Sequence, residues 1–249
     1  MTILVENLTV QKKAKPILKD VNCRFEDGHL STIIGVNGSG KSVFLKALLG
    51  FEKKDGQVTF EKDHKISYIP QKVTADQYFT VFEFILLGLY GDLDFRVNDD
   101  QLQAIESVMD ELGIGDLADQ QFADLSGGQQ QLVVLAQALV RQPTVIIADE
   151  PTSALDIKKQ LQYLQTLQRY VHRHQIVGII VIHDLTLAAR FSDSLYLMQG
   201  GQLISAGDPD QALQQERLED LYGVELEMKE TVDQHLAIIP LRPIEEGSR

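Results

Sequence analysis

Eight residues, Gly35-Val36-Asn37-Gly38-Ser39-Gly40-Lys41-Ser42, constrain this chain more tightly than any other stretch of it. They fit G-x-x-x-x-G-K-[ST], a pattern that has meaning only between a strand and a helix. Both flanks comply. Leu30 to Ile34 is apolar and β-branched at its end, as in a buried strand, and Val43 to Leu49 closes with Gly50, as in a short helix with a glycine stop. Glycines let the backbone curl until successive N–H groups point at one anion, and the helix N-terminus adds partial positive charge. The expectation is a phosphate cradle built from Gly35, Asn37, Gly38, Ser39, Gly40, Lys41 and Ser42. Lys41 reaches the β- and γ-phosphates, and Ser42 offers its hydroxyl to Mg²⁺.

Composition narrows what else the chain can do. At 249 residues and 44% hydrophobic it has ample material for a core. A formal net charge of -13 argues against nonspecific nucleic-acid binding and against docking on anionic lipid heads. The single cysteine, Cys23, permits no internal disulfide and is expected to be a buried, inert thiol in a reducing compartment. No apolar run has the length of a bilayer span, and Met-Thr-Ile-Leu-Val-Glu at the N-terminus has neither a basic region nor a long apolar core, so no signal peptide is expected. A cytoplasmic protein is expected, meeting a membrane only through a partner.

In chain order, Ile3 to Val10 and Ile17 to Phe25 read as strands around a polar turn at Gln11 to Lys15, with a further turn at Asp27-Gly28. Val58-Thr59-Phe60 and Lys65 to Ile69 read as two short strands joined at Lys62-Asp63. From Gln71 to about Arg141 the pattern turns helical. Val81 to Leu89 is strongly apolar, Leu102, Ile105, Val108, Met109 and Leu112 recur at helical spacing, and Gly127-Gly128 opens a run to Val140. Thr144 to Ala148 reads as a buried strand, Ile157 to Arg173 as a helix, and Ile179 to Ile182 as another buried strand. Leu195 to Ile204 reads as a hairpin turning at Gly200-Gly201. Beyond Gly207 two short helices are expected, then extended segments near Leu226 and from Ala237 to Pro240. Strands alternating with helices imply a mostly parallel sheet with ligands at its carboxyl edge.

Three further motifs carry chemistry. Val145 to Ala148 ends in Asp149-Glu150: the strand delivers Asp149 to the Mg²⁺ held by Ser42, and Glu150 is placed to take a proton from an attacking water. His183 follows the next apolar strand, where an imidazole meets the γ-phosphate. Leu125-Ser126-Gly127-Gly128-Gln129 puts a glycine pair at a helix start, which fits either a second phosphate face or an ordinary serine N-cap. The other five histidines, His29, His64, His172, His174 and His235, show no chelating pattern and are expected at the surface.

These motifs, in this order, resemble the ATP-binding cassette (ABC) ATPases over essentially the whole chain. The resemblance rests on the P-loop, LSGGQ at Leu125 to Gln129, the strand ending Asp149-Glu150, Pro151-Thr152-Ser153-Ala154-Leu155-Asp156, Tyr68-Ile69-Pro70-Gln71 and His183. It implies an α/β fold: a P-loop NTPase (RecA-like) core with an antiparallel β subdomain, and an inserted helical subdomain. As one domain, residues 1–71 and 142–249 form the core and tail, and 72–141 the helical part. It also implies a head-to-tail dimer, with a homodimer or a similar ATPase, in which ATP lies between the P-loop of one subunit and Ser126, Gly127, Gly128 and Gln129 of the other. By position, Gln71 matches the residue that touches Mg²⁺ and the attacking water, Glu150 the catalytic base, Asp156 the end of the loop crossing the dimer interface, and His183 the switch histidine.

Three places depart from the family's pattern, one of them Gln130-Gln131-Leu132, which replaces the commoner arginine-bearing sequence after LSGGQ. Lys12 stands where an aromatic usually stacks on adenine, so the base is expected to rest on the lysine stem or on a cation–π contact. Val43 replaces a threonine hydroxyl near the α-phosphate, a loss of about 1 kcal/mol. The segment Thr80 to Gly91 is similar to the part of iron-chelate and metal importers that receives a membrane subunit's coupling helix. The stretches His183 to Arg190 and Leu221-Tyr222-Gly223-Val224 look like the siderophore, haem and cobalamin group, whereas the short span from Gly56 to Tyr68 is similar to the zinc and manganese group. The resemblance therefore implies an importer ATPase on the inner face of the cell membrane. Its partners would be integral permease subunits and, indirectly, a solute-binding protein; nucleic acid is not among them. A soluble, non-transport cassette ATPase is the other class. A groove exposing Phe82, Phe84 and Leu87 separates the first from the second.

Overall fold

The structure, a computed structural model, describes residues 2–13, 15–61, 63–71, 78–89, 97–207 and 209–244. Its centre is a six-stranded sheet. In spatial order this holds β5 (Ile66–Ile69), β6 (Val145–Asp149), β7 (Val177–Val181), β3 (Leu30–Ile34), β8 (Ser194–Gln199) and β9 (Gln202–Gly207), all parallel except β9. Both faces of the central strands are covered, so β7 and β6 as far as Ala148 carry no polar side chain, whereas β3 buries Ser31 and Thr32. Along β6, Val145 and Ile147 pack towards one face, where the antiparallel sheet of β2 (Lys15–Glu26), β1 (Thr2–Lys12) and β4 (Asp55–Phe60) joins them. Ile146 and Ala148 pack towards the other, shared with the helices. The same two-residue alternation divides Ile179 from Ile180 in β7.

Helix α1 (Lys41–Leu48) follows β3 and lies in the core between the two sheets through Phe44, Leu45 and Leu48. Between β5 and β6 the described residues form α2 (Val81–Leu86), α3 (Asp99–Leu112) and α4 (Gly127–Leu139), with short 3₁₀ turns and one β-bridge, Thr80 to Gln121. Capping boxes start α2 (Thr80 with Glu83) and α3 (Asn98 with Gln101), and Gly113 at φ 66° ends α3. The chain continues through α5 (Ile157–His174), α6 (Leu185–Phe191), α7 (Pro209–Ala212), α8 (Gln215–Tyr222) and the hairpin of β10 (Val224–Glu230) and β11 (Leu236–Pro243).

Parallel register fixes the functional edge. Ile69 pairs with Ala148, Asp149 with Val181, and Val181 with Ile33. The chain therefore leaves β5, β6, β7 and β3 at the same carboxyl edge, and Gln71, Glu150, His183 and Gly35 each follow within two residues of a strand's end.

The structure differs from the sequence reading in four places. The turn expected at Gln11 to Lys15 is shorter, because the β1–β2 ladder runs to the Lys12–Lys15 pair. The helix after the P-loop starts at Lys41 instead of Val43, since Lys41 and Ser42 already have helical geometry. The strands Val58–Phe60 and Lys65–Ile69 enter different sheets. Helix α6 had no counterpart in the pattern; its seven residues are too few for periodicity, and its start is signalled only by Asp184, whose carboxylate accepts the Leu187 N–H at 2.8 Å. Ala14, Lys62, Tyr90 and Gly91, parts of three expected segments, lie outside the described residues.

Candidate nucleotide site

The P-loop wraps the start of α1. Gly40, the N-cap, has φ 113° and supplies no side chain to the helix, so the first N–H groups of α1 are left for an external acceptor. A cleft of about 210 Å³ opens there, lined by Asn37, Gly38, Gly40, Lys41, Ser42 and Val43, with Ile17 and Glu150 completing it. Lys41 donates from Nζ to the carbonyl oxygens of Gly35 (2.8 Å) and Val36 (3.1 Å). Burial lowers its pKa, and the charges of Glu150 and Asp149 oppose that shift. The Ser39 hydroxyl is buried and has no protein partner.

The loop's shape is imposed from a distance in sequence. A Cβ on Gly35 would lie 2.2 Å from the carbonyl oxygen of Met198 in β8, so only glycine fits there. In the β8–β9 turn, Gly201 donates its N–H to the Ser39 carbonyl at 2.9 Å, and its own carbonyl accepts from Lys19 at 2.8 Å. The sequence showed this turn only as a hairpin; its clamp on the P-loop carries no local pattern.

Asp149 and Glu150 do different work. Asp149 is buried, and its Oδ1 accepts the Ser42 hydroxyl at 3.2 Å. Burial raises the Asp149 pKa; the Ser42 hydrogen bond lowers it, Glu150 raises it further, and Lys46 and Lys41 pull it down. Glu150 sits at φ 51°, a left-handed conformation uncommon for a non-glycine residue and concentrated at functional sites. Both of its carboxylate oxygens are held. Oε1 meets His183 Nε2 at 2.5 Å, and Oε2 accepts from Gln71 Nε2 at 2.6 Å. The ring contact assigns the proton to Nε2 of His183.

LSGGQ and Asp156 stand apart from this cluster: none of their residues lines the P-loop cleft. Gln129 Oε1 accepts both the Ser126 N–H (3.0 Å) and its hydroxyl (2.9 Å), which closes the start of α4 on itself. Around Gly127 there is open space, whereas a Cβ on Gly128 would meet the Lys159 stem at 2.2 Å. Asp156 caps α5, accepting the Lys159 N–H at 2.9 Å. Lys12 also lies away from the cleft lining, with its ammonium 2.6 Å from Glu52. Ile17 is an apolar residue of the cleft lining that the sequence reading missed, because an apolar residue near a strand's start announces only a strand.

The residues set to separate the two classes, Phe82, Phe84 and Leu87, are neither all exposed nor all buried. Phe84 is buried and stacked on Phe122 with ring centroids 4.3 Å apart, and Phe82 is half-buried. Leu87 is exposed and lines a groove of about 350 Å³ with Tyr68, Pro70, Gly88, Gln137 and Arg141, between β5 and the helices α2 and α4. Cys23 is the inert thiol expected, its pKa pushed up to about 12 by burial. Three of the five remaining histidines meet surface carboxylates: His172 meets Asp193, His174 meets Glu111 and His235 meets Asp233.

The sequence profile of the ABC transporter family matches residues 18–153, more than half of the chain, and takes in the P-loop, Gln71, LSGGQ and Glu150 together. The chain belongs to the ABC transporter ATP-binding family. It is 34% identical to the zinc transport system ATP-binding protein TroB of Treponema pallidum, with 89% of this chain and 86% of TroB covered. It is 28% identical to the hemin import ATP-binding protein HmuV of Shewanella denitrificans, with 94% and 98% covered. Among solved structures, an inward-facing ABC transporter assigned to the metal-chelate type superposes with a TM-score of 0.87 at 25% identity, covering 96% of this chain and 97% of that one. The fold is therefore that of an ABC ATPase, and the chain binds and hydrolyses ATP. None of its described helices is long and apolar enough to cross a membrane.

Proposed function

We propose that this ATPase energises a membrane importer for a metal chelate of the siderophore, haem or cobalamin kind, with a zinc- or manganese-type ion as the alternative cargo. The names of its relatives support the solute class. The Leu87 groove supports a membrane partner: it is an exposed recess at the junction of the core (residues 1–71 and 142–249) and the helical subdomain (72–141), which is where the coupling element of a permease subunit fits. The ATPase thus sits at the inner membrane face through its permease, and a solute-binding protein delivers cargo on the other side.

The chemistry rests on one observation, the double hold on Glu150 beside the P-loop cleft. The free N–H groups of α1 and the Lys41 ammonium bind the phosphates. Ser42 and Asp149 present hard oxygen donors 3.2 Å apart, a set that suits Mg²⁺, and Gln71, hydrogen-bonded to the next residue Glu150, is the third donor the family resemblance assigns. When bound, that ion neutralises charge on the β- and γ-oxygens. Glu150 takes the proton of the attacking water, but with both oxygens engaged it first exchanges one partner. His183 and Gln71 therefore govern when the base is free. Two copies arranged head to tail place Ser126, Gly127, Gly128, Gln129 and Asp156 of one against the nucleotide of the other, which explains why these residues form a surface away from their own P-loop.

The test is Glu150→Gln. Turnover is expected to fall about 10²–10⁴-fold while ATP binding persists, and size-exclusion chromatography is expected to show an ATP-dependent dimer of the variant. Unchanged turnover would remove Glu150 as the base.

A further inference from the structure

A cleft of about 340 Å³ lies between α6 and the C-terminal hairpin. Leu185 and Thr186 form one wall, Val224, Leu226, Ile238 and Pro240 the other, and Tyr222 one end. This volume falls within the range of small-molecule pockets, about 300–1,000 Å³. The polar groups at the cleft's exposed side are His183 and Asp184. Asp184 Oδ1 accepts the Leu187 N–H at 2.8 Å, while the His183 ring is directed at Glu150.

The cleft is mechanically tied to the nucleotide site at two points. His183 Nε2 is 2.5 Å from Glu150 Oε1. The Tyr222 hydroxyl is buried without a well-formed hydrogen bond and lies beside the backbone of Gly35, the first P-loop residue. The two walls are themselves pinned together. The Thr186 hydroxyl donates to the Ile238 carbonyl (3.2 Å) and accepts its N–H (3.0 Å), and Arg190 pairs with Asp233 at 3.0 Å. A molecule in the cleft packs on α6 between these clasps and restrains it where it stands, and α6 begins two residues after His183.

We propose that this cleft is an effector site for a small, largely apolar cation, with its body between Leu185 and Val224 and its ammonium at Asp184, and that occupancy lowers ATP turnover by holding His183 on Glu150, so that the base is not freed. The charge follows from Asp184 and from a chain carrying a net -13, both of which disfavour an anion. The effect on turnover rests on the roles proposed above for Glu150 and His183; the binding does not.

The probes are 2-(1-naphthyl)ethylamine and its anionic counterpart 1-naphthylacetate, titrated with Mg-ATP present so that the P-loop cleft is filled. The chain has no tryptophan, so naphthalene emission reads binding without that background. Val224→Phe and Leu185→Phe fill the cleft from opposite walls, and circular dichroism shows that each variant is folded. The amine is expected to bind saturably at one site and about tenfold more tightly than the acetate, and to lose at least about tenfold in affinity in each filled variant, the scale of a lost ion pair or packed contact. At saturation it is expected to lower wild-type turnover about fivefold or more, and to leave the variants unaffected. Equal binding to wild type and filled variants, or preference for the acetate, overturns the site. Binding with unchanged turnover overturns its effector role. A failure of the Glu150 assignment shows separately, in Glu150→Gln.

Discussion

Two helices in this protein start with glycine and serine, and they start differently. At α1, Gly40 offers the helix no cap, a cleft opens over the free N–H groups, and Lys41, Asp149 and Glu150 crowd around it. At α4, Gln129 folds back on Ser126, Gly127 faces open space, and the lysine whose stem lies against Gly128, Lys159, pairs with Asp156. On the function proposed above, the first is a complete anion site and the second is half of one, completed by a second copy. The lesson is that a glycine-rich helix start is defined by what surrounds it, and LSGGQ in one chain has too few surroundings.

The comparison breaks most visibly through Lys41→Ala, which removes a charged donor from the finished site. ATP affinity is expected to fall about ten- to a hundredfold in equilibrium binding to the isolated chain. Gly127→Ala is its counterpart at the unfinished site. Nothing lies within 4 Å of the added methyl, and alanine favours a helix over glycine by up to about 1 kcal/mol, so stability and ATP affinity of the single chain are expected to hold. Turnover is nevertheless expected to drop about tenfold, because the methyl then stands against the docked nucleotide. Equal turnover in Gly127→Ala and wild type would place the second phosphate face elsewhere.

Asp149→Asn sharpens the electrostatic side of the comparison. The folded-state pKa of Asp149 lies above the usual 3.8, mainly through burial, so the folded chain holds this proton more tightly than the unfolded one. Stability is therefore lost as pH rises from the ordinary carboxylate value through the raised one, and the full penalty applies at neutral pH. Nucleotide-free Asp149→Asn is expected to melt above wild type at pH 7, with the gap closing as pH falls below that window, while losing Mg²⁺-dependent ATP affinity. The smallest effect is expected from Lys12→Ala. An exposed ion pair to Glu52 is worth under about 1 kcal/mol, so ATP affinity should stay within about twofold; a larger loss would return Lys12 to the adenine contact.

What the sequence made legible follows the range of the interactions. The P-loop flanks, the buried strands β6 and β7 and the Gly200-Gly201 turn are local patterns, and each appears within two residues of where the periodicity or turn chemistry placed it. The grip of Gln71 and His183 on Glu150 was not visible, because it joins the ends of three neighbouring strands separated by long stretches of chain. Nor were the Ile17 wall or the Gly201 clamp, since neither leaves a trace in its own neighbourhood. Phe84 shows the limit from the other side: an apolar helix tells that residues are buried or docked, and only packing against Phe122 decides which.

The clamp on the P-loop has a consequence for the order in which the protein comes into being. Residues 35–42 leave the ribosome early, yet the groups that hold them in shape, the Met198 carbonyl and the Gly201 amide, arrive some 160 residues later. Contacts of such separation form late in folding. A nascent chain that already carries the whole phosphate motif lacks its mould until the β8–β9 hairpin has been made, and a truncated product ending before that hairpin keeps the motif without the grip on nucleotide.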